Sequence, residues 1–158
     1  MIRPIVHDEA LLSRPSLPAG ADDLAAAQDL LDTLRAHERE CVGMAANMIG
    51  VSRRVIVFND EGRLRAMLNP EIIRRSRPYE TEEGCLSLTG VRPVTRYLSI
   101  RVHFQDTALA EHTETFTGMT AQIIQHECDH LDGILYPMRM PDLDLFGFSE
   151  AFDEDEDE

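Results

Sequence analysis

The sequence predicts an α+β domain in which antiparallel strands pack around a central helix carrying His126-Glu127-Cys128-Asp129-His130, a His-Glu-x-x-His pattern. Three observations lead there. Short apolar and β-branched runs between Val55 and Phe116 are separated by turn-forming clusters. Two longer stretches, one before these runs and one after them, repeat apolar residues at helical spacing. No internal repeat or linker divides the 158 residues, which are enough to bury a core without disulfides.

The elements follow in order. After a Pro-containing lead-in (Pro15, Pro18), Asp22 or Asp23 caps a helix running to about Glu40, with Leu24, Ala27, Leu31 and Leu34 on one face. Val55 to Phe58 reads as a buried strand, Asp60-Glu61-Gly62 as a hairpin turn and Arg65 to Asn69 as the return strand. Glu71 to Arg75 and Leu98 to Phe104 read as further strands. Gln105 to Ala110 forms a loop before the Thr-rich alternation of Glu111 to Phe116, which suits a half-exposed strand. Met119, Ile123 and Ile124 then lead into a buried or half-buried helix, and Gly133 stops it.

His126 and His130 are four residues apart, so on a helix they project from one face and can grip one divalent ion. Histidines at this spacing also occur on ordinary helix surfaces, but two buried ones need partners, and a metal is a natural one. Glu127, beside them, is suited to take a proton from water and pass it to a leaving group. A catalytic site of this kind uses a third protein ligand. The protease pattern that adds Gly and a further His fails here, because Tyr136 stands where that His would be. Cys128 lies two positions from His126 and so turns roughly 200° away along the helix. Cys85, in Glu83-Gly84-Cys85-Leu86-Ser87, suits either a thiolate held beside the helix or a small core residue.

Three segments in order resemble the motifs of peptide deformylases: Gly43-Met44-Ala45-Ala46-Asn47-Met48-Ile49-Gly50, Glu83-Gly84-Cys85-Leu86-Ser87 and Gln125-His126-Glu127-Cys128-Asp129-His130-Leu131. The resemblance spans about Ile5 to Met138. It implies Cys85, His126 and His130 as metal ligands, Glu127 as general acid and base, and the Leu86 backbone N–H as an oxyanion donor. It implies ferrous iron in the cell, with zinc or nickel possible in purified protein, since a Cys-His-His set suits several of these ions. It also implies that the extended segment at Val42 and Gly43 pairs with the bound peptide as an added strand.

The first motif departs from the family pattern Gly-x-Gly-Leu-Ala-Ala-x-Gln. Cys41 replaces the first Gly, Met44 the Leu and Met48 the Gln, whose amide in the family helps hold the formyl oxygen. A thioether cannot donate that hydrogen bond, and losing one oxyanion donor costs about 100- to 1000-fold in turnover. Asn47 is a candidate replacement donor, although a polar loop residue is the plainer reading. Met48 is itself expected to contact substrate. Arg92 and Arg96 are within reach of peptide carbonyls if they are not simply solvated strand ends, and Gln122 and Ile123 line a side-chain pocket if they are not ordinary helix residues.

The formal net charge is −14, and Glu150 with Asp153 to Glu158 supplies seven of those charges. That distribution predicts a short acidic, disordered tail over 141–158, and the resemblance implies a single catalytic domain over residues 1–140. So acidic a chain is not expected to bind nucleic acid, since it repels phosphate. Three cysteines without framework spacing, no signal-like N-terminus and no membrane-length apolar run predict a soluble, cytoplasmic protein; a monomer is expected, with an oligomer left open. The expected reaction is metal-dependent removal of the formyl group from a formyl-methionyl peptide or nascent chain. The alternatives are a different N-acyl or peptide substrate, or a metal- or peptide-binding homologue with weakened catalysis.

Overall fold

The computed structural model describes residues 1–85 and 88–134, with side chains described outside 84–92. Its centre is a five-stranded antiparallel sheet whose strands neighbour one another in chain order: β1 (Gly43–Ala45), β2 (Val55–Asp60), β3 (Arg63–Cys85), β4 (Leu88–Gln105) and β5 (Glu111–Thr117). Three helices join it: α1 (Glu9–Leu12), α2 (Leu24–Ala36) and α3 (Gly118–Leu131).

Strand β2 explains why the sheet is covered on both faces. Val55, Ile56, Val57 and Phe58 are all fully buried, and successive side chains of a strand point to opposite faces. Val55 and Val57 join Leu30 and Leu34 of α2 in one core cluster. Ile56 and Phe58 join Ala121, Ile124 and Leu131 of α3 in the other. A strand buried on both sides reads as a continuous apolar run, which is how Val55 to Phe58 stands in the sequence. Helix α3 touches all five strands.

The expected hairpin forms at Glu61 and Gly62, whose φ values of 53° and 98° match the left-handed pair that joins Asp60 to Arg63. The two strands expected at 65–69 and 71–75 are one, continuing to Cys85. Pro70, which has no N–H to donate, falls in a register shift between Leu68 and Glu71, so the ladder skips it without ending. Helix α2 ends at Ala36, four residues short of expectation, because Leu34 is the last side chain it buries. Asp23 does not cap it with its side chain; its carboxylate accepts the Gly20 N–H at 2.9 Å. The short α1, capped by Asp8, has too few residues to show a period.

Gly133 ends α3 as expected, in the left-handed region at φ 74°. It also lies against the chain near α1, where a Cβ would stand 2.3 Å from the Ser13 carbonyl oxygen. Met119, expected on the buried face, is 66% exposed. It sits in the first turn of the helix, where it lines a cavity instead of the core. The expected boundary at residue 140 and the acidic tail 141–158 lie outside the described residues. No helix among the described residues is long and apolar enough to cross a membrane.

Candidate active site

Helix α3 presents His126 and His130 one turn apart, both buried, with their Nε2 atoms 3.2 Å apart. Glu127 is buried beside them, and one ligand atom from each of the three residues falls within a 4.8 Å group that can hold a metal ion. In a tetrahedral site with metal–nitrogen bonds of about 2.0–2.1 Å, two imidazole nitrogens are about 3.3–3.4 Å apart, so the pair fits one ion. The Oε1 atom of Glu127 is buried with no hydrogen-bond partner among the described residues, which further marks the place as a site for a ligand or water.

The neighbouring strands fix one imidazole. Glu83, near the end of β3, places Oε1 2.6 Å from His126 Nδ1. That contact assigns the ring proton to Nδ1 and leaves the Nε2 lone pair facing His130. Arg96 of β4 donates twice to the same carboxylate, from Nε at 2.9 Å and Nη2 at 2.7 Å, and reaches Asp129 at 2.6 Å through Nη1. Gln122 adds a donor to Glu83 at 2.9 Å and accepts from the Tyr79 hydroxyl at 3.1 Å.

Burial alone would push the Glu83 carboxyl up, but hydrogen bonds from His126 and Arg96 outweigh it and hold the group down at about 2. Burial pushes Glu127 the other way, up to about 7, with the His126 ring only partly opposing it. Burial lowers His130 to about 3, reinforced by His126 and Arg96, so its ring is neutral as a ligand requires. Burial also raises the Cys128 thiol well above its ordinary range, and that residue packs in the core as its position on the helix predicted.

A cavity of about 440 Å³ opens onto His126 and Glu127, and Val42, Gly43, Met48 and Ile123 line it with them. Strand β1 is an edge strand, so one side of its backbone is not paired within the described sheet. Gly43 permits its approach to the helix: a Cβ there would stand 2.6 Å from Ile123 Cγ2 and 3.0 Å from Glu127 Oε2.

The sequence model of polypeptide deformylases matches residues 2–145. The chain belongs to the polypeptide deformylase family. It is 48% identical over 135 residues to a peptide deformylase of Clostridium beijerinckii, covering 85% of this chain and 99% of that one. It is 39% identical over 168 residues to peptide deformylase 1 of Nitrosomonas europaea, covering 96% and 94%. Among solved structures, peptide deformylase from Thermus thermophilus superposes with a TM-score of 0.82 at 34% identity, over 96% of this chain and 93% of that one. A class I type b peptide deformylase from Acinetobacter baumannii, solved with Met-Ala-Ser bound, superposes at 0.80 with 30% identity, over 89% and 99%. Membership makes this chain a hydrolase of the deformylase type, in a metal-dependent family.

Against that family pattern, Met48 lies in a 3-10 turn, Ala46–Ile49, that follows β1 directly. Its side chain is buried at the cavity wall, where Sδ accepts the Ala45 N–H at 3.4 Å. Asn47 does not replace the missing amide. Its Nδ2 donates to the carbonyl oxygens of His130 at 2.8 Å and Leu12 at 3.3 Å, which uses both of its hydrogens.

Arg96 is not a solvated strand end; it is 5% exposed and locked between Glu83 and Asp129. The support that Glu83 gives His126, and the place of Arg96 between Glu83 and Asp129, are what the sequence did not show, and the local signal for them was charge on otherwise buried segments. Gln122 and Ile123 both line the cavity. Val42, 48% exposed, stands at its rim. Cys85 closes β3, two residues beyond Glu83. The side chains of Cys85 and Arg92, and all of Leu86, lie outside the described residues.

Proposed function

We propose that this chain removes the formyl group from the N-terminus of formyl-methionyl peptides or nascent chains, with Cys85, His126 and His130 holding one divalent ion and Glu127 moving the proton. The observation that carries the reading is the pair of buried Nε2 atoms 3.2 Å apart beside Glu127 Oε1, which has no partner among the described residues, with His126 and Glu127 lining one cavity. An ion bound there supplies a water of lowered pKa and a Lewis acid for the formyl oxygen.

The chain's own residues do the rest. Glu83 holds His126 in the tautomer that offers Nε2 to the ion. Glu127 accepts the proton of the attacking water and returns it to the departing amine. The Leu86 N–H supports the developing oxyanion, and Met48 adds no second donor. The peptide backbone pairs along the free edge of β1 at Val42 and Gly43, which binds any sequence, and its first side chain enters the cavity between Met48 and Ile123. Arg92 contacts the peptide from the strand that follows Cys85.

Ferrous iron is the proposed ion in the cell, with zinc or nickel able to take its place in purified protein, because a thiolate with two imidazoles suits all three. The catalytic unit spans residues 1–140, followed by the acidic tail 141–158. It works as a cytoplasmic monomer on newly made chains, without nucleic acid.

Met48 favours a second reading, in which the same machinery acts on another N-acyl group, since a thioether wall is less polar than the amide it replaces. The test compares turnover of formyl-Met and acetyl-Met peptides by anaerobic, iron-loaded protein. Preference for formyl is expected; faster release of acetate overturns the formyl reading in favour of the second.

A further inference from the structure

We infer that Asn47 is a positioning residue for His130, tying the last turn of α3 to α1 so that the His130 ring stays in place for the ion. The inference rests on the metal-dependent reading above. Asn47 is 1% exposed, and its amide reaches two other elements at once, through the carbonyls of His130 at 2.8 Å and Leu12 at 3.3 Å. Both neighbours are acceptors, which assigns the amide nitrogen to that side.

The end of a helix is where such a tie matters, because its last four carbonyls lack partners within the helix and the turn frays. The Leu131 carbonyl is held from outside by the Ser16 N–H at 2.7 Å and by Arg54 at 3.4 Å. The His130 carbonyl receives the local turn bond from Gly133 at 3.0 Å. Asn47 reaches the His130 peptide from another element.

The geometry divides two neighbouring residues between two tasks. A 3-10 turn rotates successive residues by about 120°, so Met48 lines the cavity while Asn47 meets the helix end. The Oδ1 atom of Asn47 is buried without a partner among the described residues. A fold that needed only to fill this space would place an apolar residue there. The two donated bonds are what the amide adds.

The test measures release of Co²⁺ from the loaded full-length protein to a chelator, well below the unfolding temperature, in wild type, Asn47→Ala, Asn47→Asp and Leu34→Ala. The last destabilises the core cluster that α2 packs into without removing either Asn47 bond, and controls for stability alone. Asn47→Ala is expected to release the ion about tenfold faster than wild type, at the low end of what supporting residues cost. Leu34→Ala is expected to match wild type, and kcat of the iron-loaded Asn47→Ala enzyme to fall with KM unchanged. Asn47→Asp preserves the shape without the amide and decides the matter should the alanine variant not fold.

Equal release from wild type and the Asn47 variants, or equally fast release from Leu34→Ala, overturns the inference while leaving the proposed function standing. A wild-type chain that binds no ion overturns the function itself, and the inference with it.

Discussion

Glu83 Oε1 lies 2.6 Å from His126 Nδ1, joining the end of β3 to the helix that carries both histidines across 43 residues of sequence. The carboxylate is committed to this contact by Arg96, which grips both its oxygens, and it stays ionised because those bonds outweigh its burial. A full negative charge on the far side of the ring makes His126 a better donor at Nε2. Glu83→Gln is therefore expected to weaken metal affinity 10- to 100-fold, read by chelator competition. Unchanged affinity would reduce the contact to a packing detail.

Arg96 serves a buried carboxylate, Glu83, and a half-buried one, Asp129, and is itself 5% exposed. Removing one partner from such a set leaves the others uncompensated. Arg96→Ala is expected to cost about 3–5 kcal/mol in denaturant unfolding. A loss below about 1 kcal/mol would mean that the group behaves as an exposed pair.

Gly43 is the only residue type that fits between β1 and α3. A methyl group there meets Ile123 Cγ2 at 2.6 Å and Glu127 Oε2 at 3.0 Å, so Gly43→Ala must shift one or both side chains. Turnover is expected to fall about 100-fold, the scale set by a misplacement of about 1 Å, with metal content unchanged. Wild-type turnover would show that the carboxylate need not stay where it is.

Met48 Sδ occupies the cavity wall and accepts the Ala45 N–H. In Met48→Gln the new Oε1 can take that N–H and leave an amide donor for the oxyanion. Deformylation is expected to rise about 100-fold in initial-rate assays. No rise would show that the absent donor does not limit this enzyme.

The grouping on α3 was legible because it is local: His126, Glu127 and His130 need only the helical period to be brought together. Gly133 and the Glu61-Gly62 turn were legible for the same reason, since each answers a backbone requirement at its own position. Glu83 and Arg96 were not, because their roles depend on the pairing of two long strands and on α3 crossing them. The length of β3 is not apparent from its prolines, which strands tolerate only at edges, ends or bulges; here Pro70 falls in a register shift and Pro78 pairs with Tyr97. An extended segment would set Asn47 and Met48 on opposite faces; the 3-10 turn changes that geometry and sends the Asn47 amide to the helix end.

The most direct test of the account is formate release from a formyl-methionyl peptide by iron-loaded protein under anaerobic conditions, comparing wild type with Glu127→Ala at equal metal content. Measurable release by wild type, reduced at least 100-fold in the variant, is predicted, because Glu127 is the carboxylate that the described residues place in the candidate ion group. Release that survives Glu127→Ala, or none from metal-loaded wild type, would contradict it.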